Sequence, residues 1–168
     1  MELATESFGQ NFSITPIQMI TAAAAVANGG YLVQPHVVAQ VIDDEGNIVR
    51  TTDTTVKRQV ISNETSRRVS AMLQETATTG TAKNGYIAGY RVAGKTGTSE
   101  KLDNFDENGV QYGNVLSFLG FAPADDPKIA VLVALDEPVV GDAQSSTIAA
   151  PVVGAMLEDI CLLYTSDA

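Results

Sequence analysis

The sequence predicts an α+β fold in which an antiparallel sheet is flanked by helices. Three segments carry helix signals, beginning near Thr15, Ser62 and Thr147. Three others, around Val92, from Asn114 to Phe121 and from Lys128 to Leu135, are alternating or continuously apolar, as strands are. The turn Ala122-Pro123-Ala124-Asp125-Asp126-Pro127 links the last two.

The first helix is read from Thr15, which can cap it, with Pro16 fitting the first helical position. It should run to about Asn28, with Gly29 as a left-handed exit, and its alanine run from Ala22 to Ala25 suggests close packing. From Tyr31 to Ile61 the pattern changes to short extended pieces. Residues 37–42 and Ile48-Val49 flank Asp43-Asp44-Glu45-Gly46-Asn47, a hairpin turn, and the threonine-rich stretch 51–55 reads as a surface connection. His36, the one histidine, is expected on the surface at a strand start.

Ser62 is a good N-cap for the second helix. Val69, Met72, Leu73, Thr76 and Ala77 have the spacing of one buried face, and Gly80 ends the helix. The hydroxyls of Thr78-Thr79-Gly80-Thr81 either line a cleft or belong to a solvated turn, the latter being the preferred reading. After the central strand, residues 99–113 read as a mobile polar loop at a cleft edge. Its acidic residues lack the ligand spacing of a calcium loop. The last helix should bury Val152, Val153, Met156, Leu157 and Ile160, with Pro151 in its first turn.

Composition narrows the function. Forty-five per cent hydrophobic and 18% charged residues suit a soluble globular chain, and 168 residues suit one domain. A net charge of −10 disfavours nucleic acid and anionic membrane as partners. A single cysteine, Cys161, excludes an internal disulfide and a zinc-type cysteine cluster, and one histidine makes a histidine-based triad a poor reading. No apolar run reaches the ~20 residues needed to cross a bilayer.

The chemistry concentrates in Arg91-Val92-Ala93-Gly94-Lys95-Thr96-Gly97-Thr98. Tyr90, Val92 and Gly94 alternate with Arg91, Ala93 and Lys95, a period of two. Gly94 and Gly97 clear side-chain bulk around Lys95 and Thr96, as happens where a strand meets a ligand or another backbone. A cation, two hydroxyls and backbone N–H groups there could hold an anion. Gly89 to Thr96 also matches the phosphate-loop pattern G-x-x-x-x-G-K-[ST], and the apolar run ending at Asp136-Glu137 imitates a magnesium-holding strand. Context opposes a nucleotide site: no buried strand precedes the motif, and the polar, glycine-broken stretch after it lacks a helix stripe. Asp136 and Glu137 are then strand-end residues rather than metal ligands.

Lys95-Thr96-Gly97-Thr98 also fits the active-site strand of penicillin-recognising serine acyltransferases. Further blocks join it in order: Phe8-Gly9-Gln10, Thr15-Pro16-Ile17-Gln18, Ala27-Asn28-Gly29-Gly30, Ser117-Phe118-Leu119-Gly120-Phe121-Ala122-Pro123, Asp136-Glu137-Pro138 and Ala149-Ala150-Pro151. From Glu2 to about Ile160 the chain resembles the C-terminal half of a class B penicillin-binding protein transpeptidase domain, a partial serine β-lactamase-like fold. Asn11 departs from the family's usual glycine, and residues 161–168 lose family character, as translated read-through would, so Cys161 is given no function.

The resemblance implies a peptidoglycan D,D-transpeptidase that binds β-lactams and acts on stem peptides without a metal or organic cofactor. Lys95 and Thr98 would be catalytic, and Thr96, Gly97 and Thr98 would bind the substrate, its terminal carboxylate being held by Thr96 and Thr98. Family members use a serine with a lysine three residues later and a Ser-x-Asn loop, and neither pattern occurs here. The expectation is therefore a piece that is inactive alone, its nucleophile and its membrane anchor lying in a preceding N-terminal part. The intact protein would work at the extracytoplasmic face of the cell membrane among divisome or elongasome proteins. The alternative is a non-catalytic module that senses β-lactams or contacts such complexes.

Overall fold

The computed structural model describes Gly9 and residues 13–101, 103–139 and 144–165, with side chains as far as Cys161. Residues 2–5 and 8–11, Gly9 apart, lie outside the described residues, as do 166–168 of the tail.

Helix α1, Pro16–Ala27, opens on a complete capping box. Thr15 Oγ1 accepts the Gln18 N–H at 3.3 Å, and Gln18 Oε1 accepts the Thr15 N–H at 2.8 Å. The chain leaves through Gly29 and Gly30, with φ of +89° and +97°. Gly30 is the tighter of the two, because a Cβ there would stand 2.0 Å from the Ile61 carbonyl oxygen.

Two small antiparallel ribbons follow: β1, Tyr31–Leu32, with β4, Arg58–Gln59, and β2, Gln40–Ile42, with β3, Ile48–Thr51. Asp43 Oδ1 ties the β2–β3 turn by accepting the N–H groups of Glu45 at 3.1 Å and Asn47 at 2.8 Å. The strands differ from expectation in length. Gln40 pairs with Thr51, which draws Thr51 into β3 and leaves 37–39 outside β2. His36 is exposed and precedes β2 rather than starting it. Every residue of β2 and β3 is exposed, including Ile42, Ile48 and Val49.

Helix α2, Asn63–Thr78, is capped by Ser62, whose Oγ accepts the Thr65 N–H at 3.0 Å. Its buried side is the expected one at four of five positions, shifted away from Met72 towards two serines. Ser66, Ser70 and Ala77 are buried, Val69, Leu73 and Thr76 are half-buried, and Met72 is 61% exposed. Small residues win this face because α2 lies close against α1: Ser66 Oγ donates to the Val26 carbonyl at 2.6 Å. That carbonyl is among the last four of α1, which have no partner within the helix. Ser66→Ala is expected to cost about 1–2 kcal/mol. The check is a lower denaturation midpoint at unchanged denaturant slope.

A 3₁₀ turn, Lys83–Gly85, leads to β5, Ala93–Glu100, then β6, Asn114–Ala122, and β7, Ile129–Asp136. These form one antiparallel sheet in the order β5-β6-β7. Ser99 and Glu100 belong to β5, pairing with Val115 and Asn114, so the polar excursion is shorter than predicted. It folds back on itself through a Phe105–Gln111 bridge and the Asp106 carboxylate, which accepts the Val110 N–H at 2.8 Å.

Period two divides the sheet into two faces. Ala93 and Phe121 pack with Ala124 against Val26, Ala27 and Leu73 of α1 and α2. On the opposite face, Phe118 joins Val131 and, from helix α3 (Ala149–Thr165), Ala150, Val153 and Leu157. Here too the predicted stripe shifts. Val152 and Met156 are 43% and 42% exposed, whereas Ala150, Val153, Gly154, Leu157 and Cys161 are buried. The cause is a close crossing: a Cβ on Gly154 would lie 3.3 Å from Gly85 Cα, so α3 turns its smallest residue to the 3₁₀ turn. Pro151 sits in the first turn as expected, and burial pushes the Cys161 thiol above its ordinary pKa.

Candidate active site

The ring of Phe118 fixes where β5 lies. It is fully buried, and its Cζ fills a slot that Cβ atoms on Gly85 and Gly94 would invade, at 2.8 and 2.6 Å. Gly94 thus buys the sheet its close approach to the 3₁₀ turn, immediately before Lys95. The other side of the same residue is tied as well: Thr76 Oγ1 of α2 is hydrogen-bonded to the Gly94 carbonyl.

The four predicted site residues follow in one run. Lys95 is exposed and its Nζ donates to the Thr96 carbonyl at 2.7 Å. Thr96 is half-buried, with its hydroxyl 3.2 Å from that of Thr81. Gly97 is half-buried, and a Cβ there would stand 2.6 Å from Ser117 Oγ on β6. Thr98 is exposed, and its Oγ1 lies 2.9 Å from Ser145 Oγ. Thr96 and Thr98 share the Phe118 face of the sheet, while Lys95 and Gly97 take the other.

Two residues join this run from elsewhere. Thr81, from the turn read as solvated, brings its hydroxyl to Thr96. Ser145 was not foreseen. It is 3% exposed, and besides Thr98 it reaches the Gly97 carbonyl, to which its Oγ donates at 2.5 Å. In sequence, Gln144-Ser145-Ser146-Thr147 shows only a helix-start composition, and Ser145 O does accept the Ala149 and Ala150 N–H groups at 3.1 and 3.0 Å. Nothing local marks its second role.

Geometry removes the nucleotide reading. Thr96 lies inside a strand that runs on to Glu100, and that strand is antiparallel to its only neighbour among the described residues. No helix begins there, so no helix N-terminus is available for a phosphate. Asp136 and Glu137 instead grip Lys101, whose Nζ lies 2.7 Å from Asp136 Oδ1 and 2.8 Å from Glu137 Oε1. Asn104 Nδ2 donates to the same Glu137 oxygen at 2.7 Å, closing the base of the polar excursion.

Hydrogen bonds from Lys101 to Asp136 and then Glu137 raise the lysine above its ordinary value of 10.5. A raised pKa means that the clamp contributes its full stability below 10.5 and loses it as pH climbs through the higher folded value. NMR titration of the Lys101 ε-protons is expected to give a midpoint above 10.5, moving back towards it in Glu137→Gln.

A β-strand edge carrying a cation and two hydroxyls on a rigid antiparallel sheet suits recognition of an anionic, extended ligand. A groove of about 610 Å³ lies elsewhere, between the end of α1, α2 and the β6–β7 turn.

Comparison with known proteins decides the family. Residues 1–158 match the penicillin binding protein transpeptidase domain. The chain belongs to this family. The transpeptidase-domain chain is 41% identical over 160 residues to the stage V sporulation protein D of Bacillus subtilis (strain 168), covering 95% of this chain and 24% of that protein. It is 31% identical over 173 residues to the peptidoglycan D,D-transpeptidase FtsI homolog of Mesostigma viride, covering 95% and 29%. Among solved structures it is similar to penicillin-binding protein A from M. tuberculosis as a ceftriaxone acyl-enzyme, with TM-score 0.79, 27% identity and coverage of 93% and 34%. Penicillin-binding protein 3 from M. tuberculosis with aztreonam gives TM-score 0.81 at 26% identity, covering 96% and 38%. The transpeptidase-domain chain thus spans about a quarter of the length of these curated relatives. No helix among its described residues is long and apolar enough to cross a membrane.

Proposed function

We propose that this chain supplies the substrate-gripping half of a peptidoglycan D,D-transpeptidase that cross-links stem peptides by serine acyl transfer and is acylated by β-lactams. One observation carries the reading: Lys95, Thr96, Gly97 and Thr98 lie consecutively on the edge strand of an antiparallel sheet, in a chain of this family.

In that role the hydroxyls of Thr96 and Thr98 hold the terminal carboxylate of the stem peptide, or the equivalent carboxylate of a β-lactam. Gly97 keeps the strand flat enough for a substrate backbone to lie alongside. Lys95 supplies positive potential to a serine nucleophile contributed by another part of the protein. The Thr98 N–H, paired with the N–H of that serine, stabilises the oxyanion formed when the serine oxygen attacks the penultimate D-alanine carbonyl. Collapse expels terminal D-alanine, and a neighbouring strand's amine resolves the acyl-enzyme. Residues 1–160 form the family part in this reading, supported by a family match that ends at residue 158. The whole protein would act at the extracytoplasmic face of the cell membrane, with divisome or elongasome membrane proteins as partners.

Because neither Ser-x-x-Lys nor Ser-x-Asn occurs in these 168 residues, the isolated chain is expected to take no covalent label from fluorescent penicillin. The full-length protein that carries it is expected to be labelled at one serine outside this segment. A stable adduct on the isolated chain, or none on the full-length protein, would refute the assignment.

A further inference from the structure

Hydroxyl protons can be counted around Gly97 and Thr98. Three side-chain hydroxyls meet there, each with a single proton. Ser145 Oγ lies 2.5 Å from the Gly97 carbonyl, Ser117 Oγ reaches the same carbonyl at 3.3 Å from the opposite face, and Ser145 Oγ stands 2.9 Å from Thr98 Oγ1. The short contact assigns the Ser145 proton to Gly97. Ser145 must then accept the Thr98 proton, which leaves Thr98 with lone pairs and no donor facing outward. An anion would meet the wrong end of that dipole.

The arrangement contains its own remedy. Ser117 is a second donor to Gly97, so that carbonyl stays satisfied if Ser145 turns its proton away. We propose that Ser145 is a positioning residue which reverses the Thr98 hydroxyl when an anionic ligand arrives. Thr98 donates outward to the ligand carboxylate, Ser145 donates to Thr98, and Ser117 keeps the Gly97 carbonyl. Only O–H rotations are needed, and no bond is made or broken. The aligned Ser145–Thr98–carboxylate chain polarises each link, so the outward bond is stronger than one from an unsupported threonine. Ser145 is suited to this because it is almost wholly buried and held at the start of α3 by its own carbonyl, so water does not compete for its proton.

The inference rests on the reading that Thr98 holds a carboxylate, and the test separates the two. Acylation of the full-length protein is measured with benzylpenicillin and with its methyl ester, which lacks the anion. Ser145→Ala is expected to slow the acid about five- to tenfold, the loss of cooperative support to one charged hydrogen bond, and to leave the ester within about twofold. Ser117→Ala, on β6 and the other face of the sheet, is expected to reproduce the selective loss, because Gly97 then retains the Ser145 proton. Equal losses with acid and ester, an unchanged acid rate in Ser145→Ala, or an unchanged acid rate in Ser117→Ala would each overturn the proposal. Failure of the underlying reading shows differently: the unsubstituted protein would not discriminate acid from ester at all.

Discussion

Lys95→Ala in the full-length protein is expected to reduce β-lactam acylation by about 10²–10³-fold, the magnitude typical of removing one preorganised electrostatic donor. The side chain is exposed and, among the described residues, its polar contact is with the neighbouring Thr96 carbonyl, so little of the fold depends on it. Thermal stability should therefore hardly move. The diagnostic measurement is the second-order rate of penicillin labelling alongside the unfolding midpoint. An unchanged rate in a folded variant would remove Lys95 from the proposed machinery. A loss of rate together with a loss of structure would instead place its role in the fold.

Phe118→Ala is expected to cost about 3–5 kcal/mol, the usual result of deleting a fully buried aromatic ring. Here the void has unusual walls. Two of them are glycine backbones, Gly85 and Gly94, and a third is the Val153 end of α3, whose Cγ1 lies close to the adjoining Gly120. Backbone cannot repack as side chains do, so collapse into the space would drag β5. Gly94→Ala tests the slot from the other side. Its Cβ would begin 2.6 Å from Phe118 Cζ and 3.2 Å from the Leu119 carbonyl oxygen, so the ring must give way inside a closed core. Overpacking of that kind costs about 1–3 kcal/mol. Denaturant titration of both variants checks the pair. If Gly94→Ala were as stable as the parent, the ring would not be the element that sets the height of the strand.

Much of this arrangement was legible in the sequence because its signals are local. Thr15-Pro16-Ile17-Gln18 spells a capping box within four residues, and Ser62 announces α2 in the same manner. The continuous apolar run of β7 and the alternation near Lys95 fixed strands to within a few positions. The two misread helix faces share one cause. Apolarity marks a buried helix face in sequence, yet α2 and α3 meet their neighbours at distances only small residues tolerate. Ser66, Ser70 and Gly154 are therefore inside while Met72, Val152 and Met156 are outside. Ser145 stayed invisible for a different reason. Its partner carbonyl is 48 residues away, and a serine before a helix already has a sufficient explanation as a cap.

The clamp at Lys101 has a consequence for how this protein can vary. Asp136, Glu137 and Asn104 anchor the root of the excursion between β5 and β6, whereas Asn108 and Val110 at its far end hydrogen-bond within their own turn, to Asp106. A pennant on a bolted pole can be lengthened or trimmed without tilting the pole. That outer segment is free to change in length and sequence, while the strand at its base keeps its alignment.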